Sequence, residues 1–97
     1  MDSRQVQFKR WLCDVKLAQY SNNRPALQLV DAKNGDLVAV ATVNFPDIHL
    51  EPNQVIIKNY SENEGIAEAL MKSNIIGPPL TKILSGFVTV NIHELLI

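Results

Sequence analysis

Several residue types that support particular kinds of protein are scarce in this sequence of 97 residues. Cys13 is the only cysteine, so the chain can form no internal disulfide and no zinc site made of thiolates. The four glycines are isolated from one another, which excludes a glycine-rich loop for binding phosphate. No apolar run approaches the roughly 18–20 residues that a membrane-spanning helix needs. We therefore expect neither a disulfide-stabilised scaffold nor a P-loop protein nor a helical membrane protein.

The chain also lacks a surplus of charge of either sign. Nine basic and ten acidic residues give a formal net charge of −1. A protein that binds nucleic acid through its phosphates would carry a basic surplus, and a mimic of DNA would carry a dense array of carboxylates. We therefore do not expect nucleic acid to be the partner.

Motifs for catalysis or metal binding are missing as well. His49 falls in a predicted loop and His93 on the polar side of the last predicted strand, and neither belongs to an HExxH-like pattern. A GxSxG nucleophile elbow is absent. Cys13 lies in an alternating strand pattern and is most simply interpreted as a buried small apolar residue. We predict that the protein is not an enzyme, that it needs no cofactor or metal, and that both histidines are solvated.

Size and composition predict one domain over residues 1–97, because 46% of the chain is hydrophobic and a second core would not fit. The first ten residues, MDSRQVQFKR, lack the apolar stretch of a secretory signal. Together with the absence of a membrane-spanning run, this predicts a soluble protein of the cytoplasm that does not bind membranes.

Alternating apolar residues predict three strands in the first half of the chain. The segment 8–20 (FKRWLCDVKLAQY) alternates over a long stretch, and 26–31 (ALQLVD) resumes the alternation after a polar turn. Asn34-Gly35 is a strong hairpin signal, because both residues tolerate positive φ. The segment 37–45 (LVAVATVNF) follows as a third strand, and Pro46 ends it.

The polar segment 58–65 (KNYSENEG) predicts the start of a helix. Ser61 stands three residues before Glu64, which is the spacing of a capping box. The apolar residues that follow fall at helical spacing: Ile66, Ala69 and Leu70. We predict a helix from about Glu62 to about Ser73, with Gly77-Pro78-Pro79 preventing its continuation.

Two further strands complete the predicted fold, one at 54–58 (QVIIK) and one at 87–95 (FVTVNIHEL). The predicted order is β-β-β-β-α-β. Because hairpin connections dominate, we predict an α+β fold, with a mostly antiparallel sheet of about five strands and one helix packed on one face.

The same polar segment is the candidate for a functional surface. Its acidic residues lie at the predicted helix N-terminus, where they would repel an anionic ligand. Tyr60 is a candidate aromatic anchor, because tyrosine supplies contact area at low entropic cost. The residues predicted to bind a partner are Arg24, Lys58, Tyr60, Glu62, Asn63 and Glu64. The alternative is that the segment is only a helix cap with a solvated first turn.

Three stretches of the chain, NNRPALQLVDAKNGDLVAVATVNFP, IKNYSENEG and SGFVTVNIHEL, resemble a family of small bacterial proteins of unknown function. That family is found largely on phages, plasmids and other mobile elements, and its shared motifs are ATVNxP, IKxYSENEG and SGF. The resemblance covers most of the chain after residue 19. It is carried by Tyr20, Asn23, Ala26, Leu27, Leu29, Ala41, Thr42, Val43, Asn44, Pro46, Tyr60, Ser61, Glu62, Asn63, Glu64, Gly65, Ser85, Gly86 and Phe87. The apolar end Leu95-Leu96-Ile97 departs from the family's polar end, which suggests either edge packing or self-association.

This resemblance implies a setting in the cytoplasm of a host cell, and it supplies no catalytic residues. The setting suggests a non-enzymatic inhibitor of a host defence system, of the anti-CRISPR kind, that binds a host protein stoichiometrically. Two alternatives stay open. One is a module that binds or sequesters a small ligand, with Arg24 and the polar segment lining its pocket. The other is a homodimeric structural accessory protein, assembled through strand edges or the apolar tail.

Overall fold

A computed structural model of the protein describes residues 4–97, apart from the side chain of Ser85. Within these residues the chain forms eight strands, one short α-helix and one 3-10 turn. The strands are β1 (Gln5–Phe8), β2 (Trp11–Gln19), β3 (Pro25–Asp31), β4 (Leu37–Val40), β5 (Thr42–Val43), β6 (Gln54–Ile57), β7 (Ile76–Ser85) and β8 (Val88–Leu95). The 3-10 turn (Ser61–Asn63) and helix α1 (Ile66–Lys72) lie between β6 and β7.

The strands form two antiparallel sheets of four strands each. The first sheet has the order β1-β2-β3-β4, and the second has the order β5-β6-β8-β7. The predicted α+β class is therefore confirmed, whereas the prediction of a single sheet of about five strands is only roughly right. The difference has three local causes, which concern residues 9, 41 and 76–85.

The predicted strand 8–20 is divided by a tight turn. Lys9 adopts a positive φ of 54°, and the chain reverses there so that Phe8 of β1 pairs with Trp11 of β2. Positive φ is uncommon for residues other than glycine, asparagine and aspartate. The sequence pattern therefore carried no signal for this hairpin.

The predicted strand 37–45 is divided at Ala41, which links the two sheets. Its N–H donates to the carbonyl of Leu27 in β3 at 2.8 Å, and its carbonyl accepts from the N–H of Lys58 after β6 at 2.8 Å. Ala41 is completely buried. One residue therefore ends the first sheet and begins the second.

Strand β7 contains the segment Gly77-Pro78-Pro79, where the sequence predicted only the end of the helix. Pro78 and Pro79 have no N–H to donate, but β7 is an edge strand and pairs only with β8. The pairing of β7 with β8 shifts register on both sides of Pro79. An edge position with an irregular register tolerates prolines that a central strand would exclude.

The first core cluster lies on the face that β6 directs toward the first sheet and α1. Its buried residues are Val6, Phe8, Cys13, Leu27, Leu29, Ala39, Ala41, Val55, Ile57, Ile66, Ala67, Leu70, Ile75 and Ile76. The prediction that Cys13 is a buried apolar residue is confirmed. Leu95 and Ile97 also pack against this cluster as partly buried residues, whereas Leu96 is 47% exposed.

The second core cluster consists of Ile56, Val90 and Ile92. Ile56 alternates with Val55 and Ile57, so this cluster lies on the opposite face of the second sheet. Partly buried apolar residues cover it: Val43, Phe45, Ile48, Leu50, Tyr60, Ile83 and Val88. Phe45, Ile48 and Leu50 belong to the loop between β5 and β6, so this loop covers the second core cluster.

The predicted capping box is wrong. Neither the 3-10 turn nor α1 has a side-chain cap from its N-cap residue, and Gly65, with a φ of 91°, separates the two. The helix consequently begins at Ile66 and ends at Lys72. The side chain of Asn59 bonds the helix start instead, because its Oδ1 accepts from the N–H of Ala67 at 2.9 Å.

The prediction of two solvated histidines is half right. His49 is exposed, and its Nε2 lies 3.3 Å from the Oε1 of Glu51. His93 is completely buried, and its Nδ1 lies 2.8 Å from the carbonyl oxygen of Gly77. Within residues 4–97 no helix has both the length and the apolar character needed to cross a bilayer.

Candidate functional site

Three of the predicted partner-binding residues come together after β6. The Nζ of Lys58 lies 2.7 Å from a carboxylate oxygen of Glu62 and 5.7 Å from the centre of the Tyr60 ring. Lys9, from the β1–β2 turn, donates from its Nζ to the backbone carbonyl of Glu62 at 2.8 Å. Residues far apart in the sequence therefore fix one charged cluster on the surface.

The ion pair in this cluster shifts the pKa values of both partners. The hydrogen bond to Glu62 raises the pKa of Lys58, and the same bond lowers the pKa of Glu62 below its ordinary value. Both groups are therefore charged at neutral pH. Because Glu62 is largely exposed to solvent, the pair contributes more to the local surface charge than to stability.

Asn63 occupies a different position from its neighbours, because its side chain is buried. Its Nδ2 donates to the carbonyl of Val40 in β4 at 2.7 Å. The amide thereby takes the place of a neighbouring strand at the free edge of the first sheet. Glu64 lies at the surface. Of these two predicted binding residues, Asn63 has a structural role and Glu64 is accessible.

Arg24 lies outside the charged cluster and holds the loop that covers the second core cluster. Its Nη1 donates to the carbonyl of Phe45 at 2.8 Å, and its Nη2 donates to the carbonyl of Ile48. These bonds use the fork of the guanidinium group on backbone acceptors, which fixes the loop to the start of β3. These hydrogen bonds give Arg24 a structural role that requires no ligand.

Two open cavities lie beside these residues, and they are distinct from one another. A groove of about 370 Å³ runs along β4 and β5 beside Lys58, Glu62 and Asn63. A second cavity of about 290 Å³ is lined by Asn22, Asn23, Arg24, Pro25, Leu50, Glu51, Pro52 and Gln54. Arg24 and the polar segment therefore do not line a common pocket.

The β7–β8 hairpin carries a surface feature that the sequence interpretation missed. Ser85 pairs with Val88, so Gly86 and Phe87 form a two-residue turn, and Gly86 has a φ of 60°. A positive φ at this first position is what glycine supplies in a type II′ hairpin turn. Phe87 is fully exposed, and Leu84 is 76% exposed. An apolar tip therefore projects from a defined turn.

A signal for this turn was present in the sequence. Gly86 stands between an apolar stretch (LTKIL) and the alternating stretch that forms β8, which is typical of a hairpin. Pro78 and Pro79 argue against a strand in this part of the sequence, so β7 was not predicted. A hairpin needs two strands, and only the strand after Gly86 was predicted.

Groups with catalytic potential are held in the core. Burial raises the pKa of the Cys13 thiol, and the charges of Asp31 and Asp14 raise it further. His93 is completely buried against Gly77. In the part of the chain that the structure describes, no three or more His, Cys, Asp and Glu side chains are grouped so as to bind a metal ion.

Comparison with known proteins returned no relatives: no protein-family model matches the chain, and no curated protein or solved structure matches it significantly.

Proposed function

We propose that the protein is a non-enzymatic inhibitor carried by a mobile element, which acts in the host cytoplasm by binding a host defence protein stoichiometrically, in the manner of anti-CRISPR proteins. The observation that supports binding to a protein is the apolar tip of the β7–β8 hairpin. The mobile-element setting comes from the sequence resemblance, and it supports the choice of a defence protein as the target.

The energetics of the hairpin tip favour a role in association. Single exposed apolar residues are common on soluble proteins and need no explanation. Here Leu84, near the end of β7, and Phe87, in the two-residue turn that follows, are both exposed, and strand pairing fixes the backbone on both sides of the turn. Full burial of a leucine or phenylalanine side chain contributes about 1.5–3 kcal/mol each. Because the turn is already ordered, little of this gain is lost to ordering the backbone.

Affinity capture tests the proposal with a matched pair of variants. The tagged protein is incubated with lysate of the host bacterium, and we expect one dominant host protein to be retained in a 1:1 ratio. The double variant Leu84→Ser, Phe87→Ser should lose this protein. Leu17→Ser removes an apolar residue that is 55% exposed on the first sheet, and this variant should retain the host protein. Empty capture would contradict the proposal, whereas equal capture by both variants would show that the partner binds elsewhere than at the hairpin tip.

The cavity beside Arg24 favours one alternative function, which is sequestration of a small polar ligand. Its lining includes the amide side chains of Asn22, Asn23 and Gln54, in a volume near the lower end of ligand pockets. Asn22 and Gln54 also form hydrogen bonds within the chain, which fix their positions at the cavity. Thermal unfolding in the presence of a nucleotide library tests this function. A large stabilisation by one compound, abolished by Gln54→Ala, would support sequestration over protein binding.

A further inference from the structure

The charge pattern of the hairpin limits the partners that its tip can bind. Within residues 76–92, Lys82 is the only residue with a permanent charge, and no carboxylate is present. Lys82 pairs with Asn91, and Leu84 pairs with Thr89, so both side chains lie on one face of the hairpin. Ile83 lies on the other face and packs against the second core cluster. The exposed face thus carries one cation, Lys82, beside Leu84 and the polar side chains of Thr89 and Asn91, with Phe87 in the turn at its end.

The edge of β7 is unsuited to pairing with a second copy of the chain. Pro78 and Pro79 are exposed on this edge strand and offer no N–H groups to a neighbouring strand. The register shifts around Pro79, and Lys82 is exposed farther along. Prolines, irregular register and lysine are the devices that keep edge strands from pairing. These features disfavour pairing of this edge with another strand and favour docking through side chains.

A membrane surface also fits the hairpin poorly. Attachment to anionic lipid by a small apolar element depends on several basic residues acting together. Lys82 is the only lysine or arginine between Ile76 and Ile92. One cation beside two apolar side chains instead matches a protein pocket, where a single carboxylate complements the charge.

We infer that the hairpin tip inserts into an apolar pocket of a host protein, with Phe87 inside the pocket, Leu84 at its wall and Lys82 paired with a carboxylate on its rim. This inference rests on the proposed function and adds the chemistry of the partner. Large side chains that fill a desolvated pocket, surrounded by contacts that exclude water, are a common arrangement of binding hot spots. The groove beside β4 lies at the other end of the second sheet and takes no part in this contact.

Photo-crosslinking tests the inference at the level of the contacted residues. The photoreactive residue p-benzoylphenylalanine replaces Phe87, whose full exposure leaves room for the larger side chain. The same residue at Leu17 serves as the control. After irradiation in host lysate, we expect one protein adduct for position 87 and none for position 17. Mass spectrometry should place the crosslink in an apolar pocket that has an aspartate or glutamate on its rim.

Charge variants test the role of Lys82 in the same assay. Lys82→Glu should lower the crosslinking yield at least about tenfold, because it brings two negative charges together, whereas Lys82→Arg should preserve the yield. As an unlabelled competitor, Phe87→Ala should be about 30-fold weaker than wild type, the loss expected for a hot-spot residue. The fluorescence of Trp11 during urea unfolding confirms that each variant is folded.

Several outcomes would overturn the inference. They are an adduct with lipid, an adduct with a second copy of the chain, a crosslink outside an acidic-rimmed pocket, and an unchanged yield for Lys82→Glu. The absence of any adduct at position 87, while tagged wild type still captures a host protein, would reject the hairpin contact and leave the proposed function standing. Failure of both crosslinking and capture would reject both.

Discussion

Replacing Arg24 by alanine should loosen the loop between β5 and β6. The guanidinium group donates to the carbonyls of Phe45 and Ile48, and both of these residues pack over the second core cluster. Hydrogen bonds with a charged donor contribute about 1.5–3 kcal/mol each, although Arg24 is half-buried and water can replace it in part. We therefore expect Arg24→Ala to lower the free energy of unfolding by about 2–3 kcal/mol.

The assays are urea unfolding and thermal unfolding, both followed by the fluorescence of Trp11, the only tryptophan in the sequence. For a domain of this size 1 kcal/mol corresponds to about 4–8 °C in Tm, so Arg24→Ala should lower Tm by about 10–20 °C. Arg24→Lys can keep one of the two hydrogen bonds, so its free energy of unfolding should fall by about half as much as that of Arg24→Ala. Lys16→Ala removes an exposed cation from β2 and should change stability by less than about 0.5 kcal/mol.

Hydrogen exchange can localise the effect. In Arg24→Ala, the amide of Ile48, which donates to the carbonyl of Phe45 at 3.0 Å, should exchange faster, because the loop opens more often. An Arg24→Ala protein with wild-type stability that no longer binds its partner would refute the structural role. The prediction from the sequence, in which Arg24 contacts a partner, would then be preferred.

Three further predictions concern buried or paired groups. Asn63→Ala removes the donor to the carbonyl of Val40 and should lower the free energy of unfolding by about 1–2 kcal/mol, measured by urea titration. The Cys13 thiol, whose pKa is raised by burial, should react with a thiol reagent at pH 8 only as fast as the protein opens, whereas the urea-unfolded chain should react at once. The pKa of Glu62 is lowered from its ordinary 4.5, so its pairing with Lys58 stabilises the fold above that pH and ceases to do so as the pH falls through the lower pKa of the folded state. The stability difference between wild type and Glu62→Gln should accordingly be constant near neutrality and vanish in acid.

Strands with regular alternation could be predicted from the sequence. The predicted segments 26–31, 54–58 and 87–95 match β3, β6 and β8 to within one residue at each end. In β8 polar and apolar side chains alternate, which is the property that a period of two detects, whereas β6 is a short apolar run buried on both faces. The α+β class followed from these strands together with one helical stretch.

Features that depend on contacts between distant residues could not be predicted in this way. His93 lies in an alternating strand whose two faces are both covered, so its polar position in the pattern did not correspond to solvent. Prolines indicate the end of a strand unless the strand lies at an edge, and the edge position of β7 depends on the pairing of β6 with β8. The turn at Lys9 contains none of the residues that favour positive φ.

In the candidate site, too, local features could be predicted from the sequence and long-range contacts could not. Lys58 and Glu62 are four residues apart, and their proximity could be expected from the polar run itself. The buried state of Asn63 depends on β4, which lies more than twenty residues away in the chain, so the sequence offered no reason to separate it from Glu64. The hairpin tip could be recognised only after β7 was known.

The position of Ala41 between the two sheets has a consequence for the order in which the chain folds. In the first sheet every strand pairs with its neighbour in the sequence, so these strands can pair as soon as the ribosome has released them. In the second sheet β6 must wait for β8, because β7 and the helix are synthesised between them. During synthesis the first sheet therefore forms early and presents Ala41 as the attachment point for the rest. The hairpin tip is completed only when β8 has been made, so a nascent chain should acquire its exposed apolar tip in the same step that closes its second sheet.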